Sequence, residues 1–245
     1  MTDDAQIAAL IAALDRDDKP ALRAAVDALI ALASKSEGVK NRLHQRLIED
    51  GHRHYWPVAY ILAQLKNPPR QCMDALIDGL DHREADIRWA IALLLVRLAK
   101  ENGAVVDRLI DLSARGTANQ KRMALYCLRD LALADPQSLA AMFGALKDGD
   151  PTVRVAAAIS LKARPDLDEE RKKNLLWIYL RDLDPKVRHA AVITLASVGA
   201  PSEEFLQALN AARNSEDPQT RKAAGLAFEI LKNERSASCG GPRRR

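Results

Sequence analysis

Hydrophobic positions recur along this chain in rows that share one period. Counting from Arg23, Tyr55, Arg88, Lys121, Arg154, Arg188 and Arg221, the residues seven positions later are Ile30, Leu62, Leu95, Leu128, Leu161, Leu195 and Phe228. Three positions later stand Val26, Val58, Ile91, Ala124, Ala157, Ala191 and Ala224; twelve earlier stand Ile11, Leu43, Leu76, Leu109, Met142, Leu176 and Leu209. All twenty-one are apolar, where a 48% hydrophobic composition would give about half by chance. The seven reference positions are 32, 33, 33, 33, 34 and 33 residues apart, a spacing that signals stacked repeats.

Each period holds two helices. Helix A carries the row at minus twelve, as in Leu139, Met142, Phe143 and Leu146; helix B carries plus three, plus seven and plus ten. Both follow the 3.6-residue period of an amphipathic helix. Helix B is expected over 18–34, 53–66, 84–101, 117–134, 151–164, 185–199 and 218–233, with Pro69, Pro136, Pro165 and Pro201 between units. Its start is clearest in Asp150-Pro151-Thr152-Val153-Arg154, Asp184-Pro185-Lys186-Val187-Arg188 and Asp217-Pro218-Gln219-Thr220-Arg221. Asp suits the N-cap and Pro the first helical position, where no N–H is missed. The Arg one turn on is expected to pair with the capping Asp on the same face.

This pattern resembles HEAT repeats, above all the short bacterial type whose second helix reads D-P-x-V-R-x-A-A-x-x-x-L. The resemblance covers roughly residues 5–233 and is fullest in the last three units. Unit two departs most, with Gly51-His52-Arg53-His54-Tyr55-Trp56-Pro57 where the motif should stand, and unit four has Thr117 and Lys121 in place of Asp and Arg. The signatures of ankyrin and tetratricopeptide repeats are missing. The resemblance implies an all-α, right-handed α–α superhelix of about seven helix pairs, with B helices lining the concave side. The repeat region is expected over 1–233, capped by polar faces around Asp15 and Arg213, and a disordered basic tail over 234–245.

On a helical wheel the plus-one and plus-five rows of helix B face away from the core, where polar residues are usual. Here plus one reads Ala24, Trp56, Trp89, Arg122, Val155, His189 and Lys222, and plus five reads Ala28, Tyr60, Leu93, Tyr126, Ile159, Ile193 and Leu226. Such an apolar stripe rimmed by cations suggests a partner site, with Trp56, Tyr60, Trp89, Leu93, Arg122, Tyr126, Val155 and Ile159 as its contacts. The alternative is that curvature buries the row, Trp89 included, between neighbouring repeats.

Charge changes this picture little. The net charge is +4, of which Glu234 to Arg245 supplies +3, so the body is near neutral and a nucleic-acid partner is not favoured. Cys72, Cys127 and Cys239 are isolated, with no zinc or disulfide spacing. The acidic start Met1-Thr2-Asp3-Asp4 lacks the basic opening of a signal peptide, and the apolar run Trp89 to Val96 is too short for a bilayer. The expectation is cytoplasmic, with no membrane association.

Catalytic chemistry finds little support. His44, His52 and His54 could be drawn together around a metal, but two residues is the wrong spacing for a helical ligand pair, and no metal or cofactor is expected. No His-Glu dipeptide occurs, whereas HEAT-like deoxyhypusine hydroxylases bind iron through such pairs. Alkylpurine glycosylases of similar fold need a catalytic Asp near a Trp; one turn beyond Trp56 and Trp89 stand Tyr60 and Leu93. No phosphate-binding loop, nucleophile elbow or dinucleotide fingerprint occurs. The expected function is therefore a non-catalytic interaction scaffold or adaptor binding a protein or peptide. One rival is nucleic-acid binding, with Arg53, Arg88, Lys121 and Arg122 on phosphates. The other is a lyase or modifying enzyme related to bilin lyases, which carry the same short repeat.

Overall fold

Fourteen helices alternate in A–B order through the computed structural model, which describes residues 4–49, 55–133, 135–164, 167–198 and 203–239. The first three pairs are α1 (Asp4–Ala13) with α2 (Lys19–Ala33), α3 (Glu37–Glu49) with α4 (Trp56–Ala63), and α5 (Gln71–Gly79) with α6 (Ala85–Glu101). The next two are α7 (Gly103–Arg115) with α8 (Ala118–Leu131) and α9 (Pro136–Ala145) with α10 (Pro151–Leu161). The last two are α11 (Glu169–Arg181) with α12 (Pro185–Ser197) and α13 (Glu203–Arg213) with α14 (Pro218–Cys239). No strand occurs among the described residues, so the chain is all-α, built from helix pairs.

The chain divides into two compact units, Met1–Val105 and Val106–Arg245. In the first, α4 packs on α2, α3, α5 and α6. In the second, α10 lies against α8, α9 and α12, and α12 meets α11 and α14.

The repeated rows are the core. Every residue of the plus-three row is buried, and in the other two rows all but Ile11, Ile30 and Phe228 are. Those three are half-buried in the first and last pairs, which have a neighbouring repeat on one side only. A further row, six after each reference position, is also buried: Leu29, Ile61, Leu94, Cys127, Ser160, Thr194 and Ala227. Two of its members are polar, which hides it from a hydrophobic pattern. The Ser160 hydroxyl donates to the Leu125 carbonyl at 3.1 Å and the Thr194 hydroxyl to that of Ala158 at 2.7 Å. Each thereby satisfies a buried polar group and fixes the register of successive B helices.

Aspartate caps the helices as the sequence suggests. Asp150 accepts from the Thr152 N–H at 2.7 Å, Asp184 from Lys186 at 2.7 Å and Asp217 from Thr220 at 2.8 Å. Thr117, standing where other units have Asp, forms a reciprocal capping box with Gln120. The expected pairing of Arg with that same Asp is not what forms. Arg154 Nη1 donates to the carbonyls of Asp148 and Gly149 at 2.9 and 3.2 Å, while Nε and Nη2 hold the Asp182 carboxylate of the next repeat at 2.8 and 2.9 Å. Arg188 and Arg221 reach the equivalent carbonyls, those of Asp182 and Leu183 and of Ser215 and Glu216. The capping carboxylate is committed to free N–H groups at the helix start. The guanidinium, one turn on, folds back over the turn carbonyls.

Two boundaries differ from expectation. Helix B of unit two begins at Trp56; the expected start at Arg53 lies outside the described residues. Helix α14 continues through Ser236 to Cys239, past the expected repeat end at 233, because nothing between Leu226 and Cys239 breaks a helix before Gly240-Gly241-Pro242. Residues 240–245, the rest of the expected tail, lie outside the described residues.

Candidate functional site

The outward rows of the B helices fall in both units: Trp56, Tyr60, Trp89 and Leu93 in the first, Arg122, Tyr126, Val155 and Ile159 in the second.

In the first unit, Tyr55 takes the N-cap position of α4 without a side-chain cap, its hydroxyl instead donating to Asp15 at 2.7 Å. Trp56 follows and is half-buried. Its ring meets His82 edge-on, centroids 5.7 Å apart and planes at 69°. Beneath it Gly79 ends α5 so closely that a Cβ there would sit 3.0 Å from Trp56 Cβ and 2.5 Å from Ile91 Cδ1. Burial, with Arg83 nearby, lowers the His82 pKa, and its Nδ1 accepts the Glu84 N–H at 3.1 Å. Trp56 and Tyr60 line a cleft of about 270 Å³ with Leu22 and Val26 from α2 and Ile87 and Ala90 from α6. Trp89 and Leu93 are not in that lining; they stand exposed on α6, at 40% and 63%. The two tryptophans, equivalent by repeat position, therefore differ: Trp56 is wedged between elements and Trp89 is exposed.

Charges close over this cleft. Lys19 of α2 binds Glu84 at 2.7 Å and Asp86 at 3.5 Å, Arg23 binds Asp86 at 3.1 Å, and Arg83 binds Asp17 at 2.5 Å. These pairs join the first repeat to the third across the short α4.

In the second unit, Arg122 and Tyr126 are half-buried on α8. Arg122 Nη1 lies 3.5 Å from Asn119 Oδ1, and its buried Nε has no acceptor among the described residues. The Arg129 guanidinium stacks 5.1 Å from the Tyr126 ring centroid. Val155 and Ile159 line a groove of about 540 Å³ between α10 and α12, completed by Pro185, Ala190, Ile193 and Thr194. Lys162, Lys186 and His189 edge it. The two lysines escaped the sequence reading because they flank the outward rows; a Lys at plus eight and another at minus two was the available signal.

Cations proposed for phosphate contacts have other work. Arg88 donates to the carbonyls of His82 and Arg83 at 2.5 and 3.0 Å, and Lys121 binds Asp148 at 2.8 Å. Arg53 lies outside the described residues, as do His52 and His54. Among the described residues no three His, Cys, Asp or Glu side chains gather as a metal site. Burial pushes the Cys72 and Cys127 thiols up to about 12, so neither is a ready nucleophile. No described helix is long and apolar enough to cross a membrane.

The family model for HEAT repeats matches residues 173–239, the stretch from α11 to α14. No curated protein matches the chain. Among solved structures, a designed armadillo repeat protein in complex with the peptide (KR)4 is 17% identical, covering 92% of this chain and 99% of its own, with a TM-score of 0.41. An engineered protein is 18% identical over 95% of this chain and 100% of its own, TM-score 0.42. Human deoxyhypusine hydroxylase in complex with glycerol is 16% identical over 94% and 96%, TM-score 0.35. Residues 173–239 are thus similar to HEAT repeats, and helix pairs of the same A–B kind recur through the described residues.

Proposed function

We propose that the protein is a non-catalytic scaffold or adaptor that binds a protein or peptide segment on the outward faces of its B helices. One observation carries this reading. Of the seven large hydrophobic residues exposed among those described, four belong to the plus-one and plus-five rows: Trp89, Leu93, Ile193 and Leu226. A solvated helix face ordinarily carries polar residues there, and clustered exposed apolar side chains mark interaction surfaces. Trp56 and Tyr60 in the first unit, and Arg122, Tyr126, Val155 and Ile159 in the second, lie half-buried on the same rows of their own units. The fold is one whose repeats present side chains along an extended surface, which suits a chain-like partner. A cytoplasmic setting is part of the proposal, on the strength of the buried free thiols of Cys72 and Cys127.

The test is a pull-down from native extract with the wild type and a Trp89→Ser/Leu93→Ser variant. Both residues are exposed, so the variant is expected to keep its helicity and melting temperature. A partner retained by the wild type and lost by the variant supports the reading. Identical capture by both proteins removes this face from the site.

A further inference from the structure

The groove between α10 and α12 has charges of one sign, and they are uncommitted. No carboxylate lines it, while Lys162 and Lys186 both do. Neither ammonium forms an ion pair or hydrogen bond with any other described residue. Among the described residues, the carboxylates of the flanking turns are engaged elsewhere: Asp168 by Arg171, Asp182 by Arg154, and Asp150 and Asp184 by the N–H groups they cap.

The two helices run side by side in the same direction. Arg154, early in α10, reaches Asp182 just before α12, and Ala158, later in α10, accepts from Thr194, later in α12. Lys162 follows the last residue of α10 and Lys186 sits in the first turn of α12, so they mark opposite ends of the groove. In repeat register they are ten positions apart, or about 15 Å along the axis at 1.5 Å per residue. Between them the lining is apolar, with Val155, Ile159, Ala190 and Ile193.

We infer that this groove binds an extended acidic peptide segment in which two carboxylates flank an apolar side chain, in the order Asp/Glu-x-apolar-x-Asp/Glu. The inference rests on the peptide-binding reading above and names the chemistry of its partner. In an extended chain alternate residues share a face, so the first, third and fifth side chains all point into the groove. Residues four apart in such a chain lie about 13 Å from each other at 3.3 Å per residue, within reach of two flexible lysines. The central side chain then lies over Ile159 and Ile193. A basic segment would meet two ammonium groups and no carboxylate, so the groove selects by repulsion as well as by attraction.

The experiment is fluorescence anisotropy on the full chain with two labelled probes, Gly-Ser-Glu-Ser-Leu-Ser-Glu-Ser-Gly and its twin with both Glu replaced by Lys. The acidic probe is expected to bind at least tenfold more tightly than the twin. Lys162→Glu/Lys186→Glu is expected to weaken the acidic probe at least tenfold and to reverse the preference. Both lysines are exposed, and circular dichroism confirms that the variant is folded; Lys162→Gln/Lys186→Gln gives the same comparison without charge reversal. Equal binding of the two probes, or indifference of the acidic probe to the lysine variants, overturns the inference. A single-stranded RNA that binds the wild type and is lost with the lysines also overturns it.

Panning a random peptide library on the immobilised protein separates this failure from that of the broader reading. Peptides that lack paired acids and depend on Trp89 and Leu93 leave the scaffold standing and the acidic groove refuted. A library that yields nothing, together with no binding of the acidic probe, refutes both.

Discussion

The two units put the same kinds of side chain to different use. In the second, ion pairs run along the edge, beneath the turns. Lys121 binds Asp148 and Arg154 binds Asp182, each link joining one repeat to the next, with side-chain exposures of 20% and 16%, then 16% and 9%. In the first unit that ladder is interrupted. Tyr55 stands where the second repeat should offer a cation, and His82 where the third should offer a carboxylate. Lys19 and Arg23 instead reach across the B-helix face to Glu84 and Asp86. The first unit is thus stitched over its face and the second under its edge. Among the described residues, Lys162 and Lys186 of the second stand on the face with no carboxylate bound to them. A departure from the repeat motif therefore changes where charge resides, and so which surface can recruit a charged partner.

The sharpest way to break this comparison is to remove one stitch of each kind. Arg154→Ala deletes two bonds to a largely buried carboxylate and two to turn carbonyls. Hydrogen bonds to charged groups contribute about 1.5–3 kcal/mol each way of counting, so a loss of about 2–3 kcal/mol is expected in urea unfolding. Lys19→Ala removes only exposed partners, and its midpoint is expected to match the wild type. Comparable losses from both would mean that the two kinds of stitch hold equally.

The two tryptophans give the next contrast. Trp56→Ala empties a half-buried site against Gly79 and His82. About 1–2 kcal/mol is expected, below the ~3–5 kcal/mol typical of truncating a fully buried Phe or Trp to Ala. Trp89→Ala is expected to leave stability unchanged while weakening partner capture. A greater stability loss at Trp89 would move it from the surface into the inter-repeat core.

That contrast also shows what the sequence could convey. Periodicity located the helix pairs and the buried rows because burial repeats every time the helix turns toward its neighbours. Asp150, Asp184 and Asp217 announced their caps because capping is local. The destination of Arg154 was hidden: its partner Asp182 lies in the next repeat, and only the packed structure shows the reach. Trp56 and Trp89 have the same repeat address, yet one packs onto Gly79, a contact that depends on how α5 meets α4. The rows thus revealed which faces are apolar, but not which of their residues neighbouring helices would cover. Lys162 and Lys186 were legible as residues; that no described carboxylate binds them was not.

Acid should tell the units apart in a third way. Burial alone would raise the Asp182 pKa, but bonds from Arg154 and the Asp184 N–H outweigh it and hold the carboxyl below its ordinary value. Asp148 is similar: burial opposes, and Lys121 with the Asp150 N–H prevails. A carboxyl depressed in the folded state stabilises fully above its unfolded pKa of about 3.9, and that stability is lost as pH falls through the lower folded value. Hydrogen exchange of α10 and α12, taken relative to the intrinsic rate at each pH, is therefore expected to be constant from pH 7 to about 4 and to accelerate below. Acceleration beginning near pH 6 would point to histidine instead.

Salt is expected to have the smallest effect and to act on the opposite unit. Side-chain exposures are 48% and 37% for Lys19 and Glu84, and 72% and 41% for Arg23 and Asp86. Pairs this open are screened as the Debye length shrinks from about 10 Å at 0.1 M to about 3 Å at 1 M. The bidentate Arg154–Asp182 pair is sheltered and keeps its geometry through directed hydrogen bonds. Raising sodium chloride across that range should modestly loosen the first turns of α2 and α6, read as faster amide exchange, and leave those of α10 and α12 unchanged. It should also weaken the acidic probe at the α10–α12 groove, where Lys162 and Lys186 are open to solvent. If instead the edge of the second unit loosens and α2 and α6 do not respond, the division between face stitching and edge stitching is wrong.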